Sequence, residues 1–407
     1  MLNGRTSLGV GILMFAAVYL QRLQVPGLGL PILIPVFAAW IVWHLLSRKA
    51  NIAVAGLVFI VIWVVFFVMQ LVYWRSQSML ASGVVGFFGL FAWGMLAVRL
   101  SPAMTREQLY GLYVRLTTPL AALAIAQLLL QLLGLPYIDL VALVSSDWLI
   151  DGYVSRAGWD LGPLGLVIRS NSMVFLEPSF ASQYFALSAV VAIRLRDRRW
   201  MIFVAAVFAT GSGTGLIALA VGGAIAVGTL VKSKRATIAV VGILPSIGIF
   251  VTPIGSSLLS RVEEFATRGS SASQRFVEPW LHLMSFATDN QYPRLTGLGT
   301  GEAGALGARL DPGVNYTLAP QAIIEYGLLM GSLVSLVIAA AVLSAKMDRA
   351  TKVVVLLIAF VLSGTLYQIH TTILVWLFSC ALERRAKVVA QPSPVPGHAE
   401  RPGDLRD

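Results

Sequence analysis

Cysteine is almost missing from this 407-residue chain: Cys380 is the only one, and it sits in an apolar stretch. No disulfide within the chain and no cysteine-based metal site can form. Histidine is scarce too. His44, His282, His370 and His398 are scattered, with no HExxH or other paired spacing, so no metal and no cofactor is expected. Charge is the most telling shortage. Asp, Glu, Lys and Arg make up 12% of the residues, where a soluble globular protein carries roughly 25%. Half the usual charge cannot cover a soluble body of this size. The same shortage, beside 57% hydrophobic residues and a mean hydropathy of +0.80, excludes disorder, collagen and coiled coil. A polytopic membrane protein remains.

The charge that is present leans basic, with 30 Lys and Arg against 19 Asp and Glu and a net charge of +11. In a soluble protein that excess would point to nucleic acid. In a chain this apolar it points to topology, because basic residues collect on cytoplasmic loops, and no nucleic-acid partner is expected. At the N-terminus, Arg5 precedes an apolar run from Leu8 to Leu20. No small-x-small cleavage site follows it, so this reads as a first membrane helix rather than a signal peptide.

A membrane helix needs about 20 apolar residues. Such stretches occur at 6–22, 28–46, 52–73, 79–98, 110–134, 174–193, 236–256 and 319–345. Two further stretches, 200–231 and 353–382, are too long for one span and short for two. Basic clusters close both ends of each: Arg194 to Arg199 and Lys232 to Arg235 for the first, Lys346 to Lys352 and Arg384 to Lys387 for the second. Like clusters at both ends favour the same side of the membrane, so each stretch folds back. Turns are available at Thr210-Gly211-Ser212 and at Tyr367-Gln368-Ile369-His370. The expected fold is an all-α polytopic membrane protein of about 12 transmembrane helices, the short paired ones not all crossing fully. Residues 1–390 form a single membrane domain with both termini cytoplasmic. The tail 391–407, with Pro392, Pro394, Pro396 and Pro402 and no apolar core, is expected to be disordered.

This topology places every lysine inside: Lys49, Lys232, Lys234, Lys346, Lys352 and Lys387. Two long segments, 135–172 and 257–318, fall outside as large periplasmic loops containing short amphipathic helices. The outer face then holds arginine alone: Arg22, Arg75, Arg156, Arg169, Arg261, Arg268, Arg275, Arg294 and Arg309. Arginine presents a rigid fork that matches phosphate bidentately, which lysine lacks. For one arginine, pairing with a loop acid or a lipid headgroup is the simpler account. For the set, a phosphate or pyrophosphate ligand is the better one.

The first outer segment runs from Arg169 into Phe175-Leu176-Glu177-Pro178-Ser179. Pro178 suits the first turn of a helix and Glu177 its N-terminus, where it is either a cap or a functional carboxylate at membrane depth. In the second segment Leu258 to Phe265 is amphipathic, and Ser271 and Gln274 have the spacing of a capping box. Phe276, Trp280 and Met284 share one helical face that Pro279 must kink or restart. This reads as an interfacial helix lying on the bilayer, with Arg268 and Arg275 along its polar side. Residues 299–304 match GxGxxG without a surrounding βαβ unit, so a dinucleotide site is not implied. The amides of Gly299 and Gly301 could still face an anion. Asp311, Asn315 and Tyr316 lead into a helix whose Glu325, one turn in, should face a cavity rather than lipid.

The order of these features resembles the bacterial O-antigen polymerase and O-antigen ligase superfamily over residues 165–380. Arg169 stands before a span, a Thr-Gly-Ser turn lies at 210–212, and Arg275 is followed by Trp280. The glycine run at 297–301, the Asn315-Tyr316 pair and Glu325-Tyr326-Gly327-Leu328 come after. Two positions depart from the pattern. Gly213 stands where the turn often has arginine, and Val314 stands where ligases are expected to have histidine before the asparagine. The second departure, and the likeness of Phe175 to Ser179 to exopolysaccharide polymerases, favours a polymerase over a ligase.

The resemblance implies a metal-independent glycosyltransferase in the bacterial inner membrane, acting at its periplasmic face. It would join polyprenyl-pyrophosphate-linked oligosaccharide repeat units into a surface polysaccharide. A chain-length regulator and other polysaccharide assembly proteins are implied as partners beside the lipid bilayer. Arg169, Arg275 and Arg294 would neutralise the leaving pyrophosphate, which is electrostatic catalysis. A carboxylate would take the acceptor proton, Glu177 first, then Glu325 or Asp311. Trp280, Tyr292 and Tyr316 would stack on sugar faces. The alternatives are a ligase of the same superfamily, a lipid-linked glycan flippase or transporter, and a non-catalytic scaffold.

Overall fold

The computed structural model describes residues 4–48, 50–52, 54–74, 98–100, 104–150, 158–160, 165–230, 267–270, 272–311, 313–363 and 368–381. Over these the chain is predominantly helical. The helices before residue 200 are α1 (Gly4–Tyr19), α2 (Leu33–Leu46), α3 (Val54–Trp74), α4 (Arg106–Leu132) and α5 (Pro178–Leu195). Then come α6 (Trp200–Ala209), α7 (Gly213–Leu230), α8 (Ser273–Phe276), α9 (Glu278–Thr288) and α10 (Glu302–Leu310). The last are α11 (Leu318–Ser344), α12 (Arg349–Leu357), which continues as a π-helical turn over Ile358–Leu362, and α13 (Ile369–Cys380). Three antiparallel two-stranded ribbons complete the picture: β1 (Gln24–Val25) with β2 (Leu30–Pro31), β3 (Ala50–Ile52) with β4 (Val98–Leu100), and β5 (Gly158–Asp160) with β6 (Leu166–Ile168).

The expected spans at 6–22, 28–46, 52–73, 110–134, 174–193 and 319–345 coincide with α1, α2, α3, α4, α5 and α11. Those at 79–98, apart from Val98 in β4, and at 236–256 lie outside the described residues. So do the amphipathic stretch 258–265, Ser271, Arg75, Arg156, Arg261 and the tail 391–407. Two boundaries move for local reasons. α2 starts at Leu33 because Gly27 (φ 76°) and Gly29 (φ 61°) turn the chain between β1 and β2, a backbone region glycine enters freely. α5 starts at Pro178, whose fixed φ and missing N–H suit a first helical position. Among the described residues, α4 and α11 are long and apolar enough to cross a membrane; α1, α2, α3, α6, α7 and α13 contribute shorter apolar runs. α3 and α11 hold Val61, Val65, Val68, Leu329 and Leu336 at the surface, and exposed apolar rows of this kind mark contact with lipid or protein.

α5 is the axis of the bundle. Every residue from Phe180 to Ala192 is buried, as expected of a helix packed on all sides. α4, α6, α7 and α12 surround it. Glycines permit the closest approach: a Cβ at Gly215 would run into Ser182, and one at Gly222 into Val190 and Val354.

Both stretches read as folding back do so. The Arg194 guanidinium at the end of α5 donates to Thr229 Oγ1 near the end of α7, so residues 200–229 leave and return at one end of the bundle. Arg194 also pairs with Asp348 at 3.5 Å, and Tyr110 O–H donates to Asp348 Oδ2 at 2.9 Å. The Met104 N–H donates to Ala381 O at 2.9 Å, which brings the end of α13 back to the same place. Both tips point to the opposite end of α5. Thr214 Oγ1 donates to Ser179 O at 3.3 Å, and Gln183 Nε2 donates to Leu362 O at 3.1 Å. α6 has 10 residues, about 15 Å of helix against a hydrocarbon core of about 30 Å. Its turn therefore reaches the first residues of α5 and stops there.

Candidate functional site

The N-terminus of α5 is where the chain gathers polar side chains. Glu177 is the N-cap residue, with extended backbone (φ −139°, ψ 157°), and its carbonyl accepts from the Phe180 and Ala181 N–H groups. Its carboxylate makes no cap bond. It turns instead to Ser179, whose hydroxyl donates to Oε2 at 2.8 Å, and to Arg275 of α8, whose Nη2 lies 3.7 Å from the same oxygen. Behind them Ser182 and Thr214 hydroxyls meet at 3.3 Å, Ser212 and Thr214 at 3.1 Å, and the Gly215 N–H donates to Ser182 Oγ. The Thr-Gly-Ser turn at 210–212 thus packs against the Glu177 end of α5.

Arg275 is buried, and its Nε has no hydrogen-bond partner among the described residues. Burial pulls its guanidinium below the usual arginine range, while Glu177 works the other way. Holding a cation with an unsatisfied donor away from water is costly, which makes the position a candidate for binding an anion. Arg169 is half-buried and its Nε is also without a partner among the described residues. Its neighbours are pinned to α4: Gln131 exchanges two hydrogen bonds with the Ile168 backbone, and Gln127 Oε1 accepts from Ser170 Oγ and the Ser172 N–H. Among the described residues no bond joins Arg169 to Glu177 or Arg275.

The remaining sequence-predicted positions fall elsewhere. Arg294 is taken up by the chain: Nη2 donates to Thr288 O and Asn290 Oδ1, and Nε to Asp289 O, so it closes the C-terminal end of α9. Arg22 pairs with Asp139 at 2.8 Å and donates to Met173 O. Tyr292 is half-buried against Phe286, with ring centroids 5.7 Å apart. Pro279 restarts the helix, as one of the two expected outcomes, and leaves Trp280, Leu281 and Met284 exposed on α9 while Phe276 packs into the core. The glycine run straps across a break in α11. Gly327 (φ 79°, ψ 171°) unwinds that helix, and the carbonyls of Ile324 and Glu325 accept from the Leu298 and Gly299 N–H groups at 2.9 and 3.0 Å. The Gly299 amide is therefore occupied by protein, and Gly301 (φ 87°) is the N-cap of α10. A Cβ at Gly297 would collide with Glu325 O and one at Gly327 with Leu295 O. Glu325 itself is fully buried and accepts from Gln321 Nε2 at 3.0 Å.

A second cluster lies at the other side of α8. Arg268 forks onto Asp311, with Nε to Oδ1 at 3.0 Å and Nη2 to Oδ2 at 3.1 Å. His282 spans Asp311 Oδ2 (3.0 Å from Nε2) and Tyr316 Oη (2.6 Å from Nδ1). The Asp311 carboxyl is held below the usual carboxylate range, first by Arg268 and then by His282. Tyr316 is pushed upward, mainly by burial. Asn315 stands beside Tyr316, its N–H donating to Gln274 O at 2.9 Å. Arg268, Asp311 and Tyr316 are thus brought together, Asp311 and Tyr316 through His282, and Glu278 lines the same cleft; sequence reasoning passed over both His282 and Glu278. The signal for Glu278 was present. Glu278-Pro279 opens α9 as Glu177-Pro178 opens α5.

No family model matches this chain, and no curated protein does.

Proposed function

We propose that the chain is a membrane glycosyltransferase that polymerises polyprenyl-pyrophosphate-linked oligosaccharide repeat units at the outer face of a bacterial inner membrane. In this reading it makes about twelve crossings, has both termini in the cytoplasm and carries the Glu177 end of α5 outward. One observation carries it: a buried arginine with an unsatisfied Nε, Arg275, set 3.7 Å from a carboxylate, Glu177, that caps nothing.

An oxygen of the leaving pyrophosphate carries developing charge, and a cation fixed in a dry site stabilises it without reorganisation. Arg275 fills that role, with Arg169 as its counterpart on the preceding segment; Arg294 is committed to the end of α9. Glu177 takes the proton of the attacking hydroxyl. The anomeric C–O bond to pyrophosphate breaks as the new glycosidic bond forms, and the lipid carrier leaves as the pyrophosphate. The exposed Trp280 and Met284 rest on the bilayer beside the lipid-linked substrate.

The test is purified protein given lipid-pyrophosphate oligosaccharide. Released carrier with a lengthened glycan is expected. Arg275→Ala and Arg169→Lys, each still inserted in the membrane, should abolish polymer. Full-length polymer from both variants sinks the clamp, and translocation without bond formation makes the protein a transporter.

A further inference from the structure

We infer that the cleft between α9 and the Leu310–Asp311 corner is a saccharide subsite in which Glu278 accepts a hydroxyl of an uncharged sugar. The cleft has a volume of about 370 Å³, within the range of small-molecule sites. Glu278 and His282 are buried at its floor, while Arg268, Leu281, Ser285 and Leu310 are exposed around its mouth.

The acceptors in the floor can be accounted for one by one. Asp311 Oδ1 is taken by Arg268, and Oδ2 by Arg268 and His282. Both His282 nitrogens are taken, by Asp311 and Tyr316. Glu278 Oε1 receives the Gly269 N–H at 2.9 Å and the Ser273 O–H at 3.0 Å. Glu278 Oε2 is buried and has no partner among the described residues. A buried carboxylate oxygen left bare is costly, and a donor from a ligand would relieve it. The Arg268 guanidinium is neutralised by Asp311 and does not choose the donor; on the glycosyltransferase reading the donor is a neutral sugar O–H. A sugar ring offers such hydroxyls on its edge and C–H groups on its faces, and Leu281 and Leu310 supply apolar surface for the latter.

This subsite rests on the glycosyltransferase reading for its role, which is to hold the acceptor sugar. The one-turn helix α8 links the two places: Ser273 supports Glu278, and Arg275 two residues on faces Glu177.

The probe is the repeat-unit oligosaccharide, released by mild acid from the producing cell's lipid-linked pool, which removes the pyrophosphate so that it cannot act as donor. Saturation-transfer NMR measures its binding to the detergent-purified full chain. Wild type should saturate the sugar protons, and Glu278→Gln should weaken binding at least tenfold. Ser285→Phe, which fills the cleft from an exposed position, should do the same, and it decides the matter if Glu278→Gln does not fold. No binding by wild type, or wild-type binding by either folded variant, overturns the subsite. Carrier release is scored separately. Glu278-dependent binding without release removes the enzyme reading alone, and release with Glu278-independent binding removes the subsite alone.

Discussion

Asp348 and Glu177 occupy the same kind of place at opposite ends of the bundle, each the N-cap of a helix, yet their side chains are used differently. Asp348 accepts from the Ala350 and Thr351 N–H groups, from Thr351 Oγ1 and from Tyr110 O–H, and pairs with Arg194. It ties α12 to α4 and α5, and every bond it makes is internal. Glu177 leaves its own helix uncapped and faces Ser179 and Arg275, with 29% of its side chain exposed. A carboxylate whose acceptors are all consumed holds a fold together. One that forgoes an available cap, stays partly exposed and faces a buried arginine is poised for something the chain does not supply.

Four changes break or sharpen this contrast. Glu177→Gln should have the largest effect, on activity alone: about 10²-fold or more less carrier release, as for loss of a proton acceptor, with the unfolding midpoint unmoved. Asp348→Ala should do the reverse. Loss of a cap and of buried hydrogen bonds costs about 2–4 kcal/mol, read by denaturant unfolding in detergent, while the folded fraction keeps its specific activity. Tyr110→Phe removes a single bond to Asp348 and should cost about 1 kcal/mol in the same measurement.

The smallest effect concerns a third carboxylate, Asp311. Its folded pKa lies below the unfolded value of about 3.9. Its contribution is therefore present above that value and lost as pH falls through the folded one. Amide protection factors over residues 268–316, taken against the intrinsic exchange rate at each pH, should fall in acid below about pH 4, and Asp311→Asn should remove that dependence.

Much of the architecture was legible because long apolar helices carry their own signal. Length and apolarity located α1 to α5 and α11, and paired basic clusters disclosed that 200–230 and 349–381 fold back. Local chemistry was legible where one residue type dictates it, as at Pro178; Pro279 fixed only that the helix must kink or restart there. The glycine run was visible as a run but not as a strap, since its partner carbonyls are freed only where Gly327 unwinds α11. His282 was passed over because histidine acquires meaning from its neighbours, here Asp311 and Tyr316, 29 and 34 residues away. Arg294 carried the same signal as Arg275, and only the direction of its guanidinium separated them.

The sequence by itself determined that this is an apolar helical chain with two long polar segments, because apolarity and charge act as averages over whole segments. Only the tertiary structure decided which charges meet. Arg275 and Glu177 are 98 positions apart, and their pairing depends on α8 lying against the N-terminus of a helix that four others enclose. Which arginine is spent on loop carbonyls and which is left with an unsatisfied Nε depends on contacts of a few ångströms, and no pattern along the chain fixes distances that short.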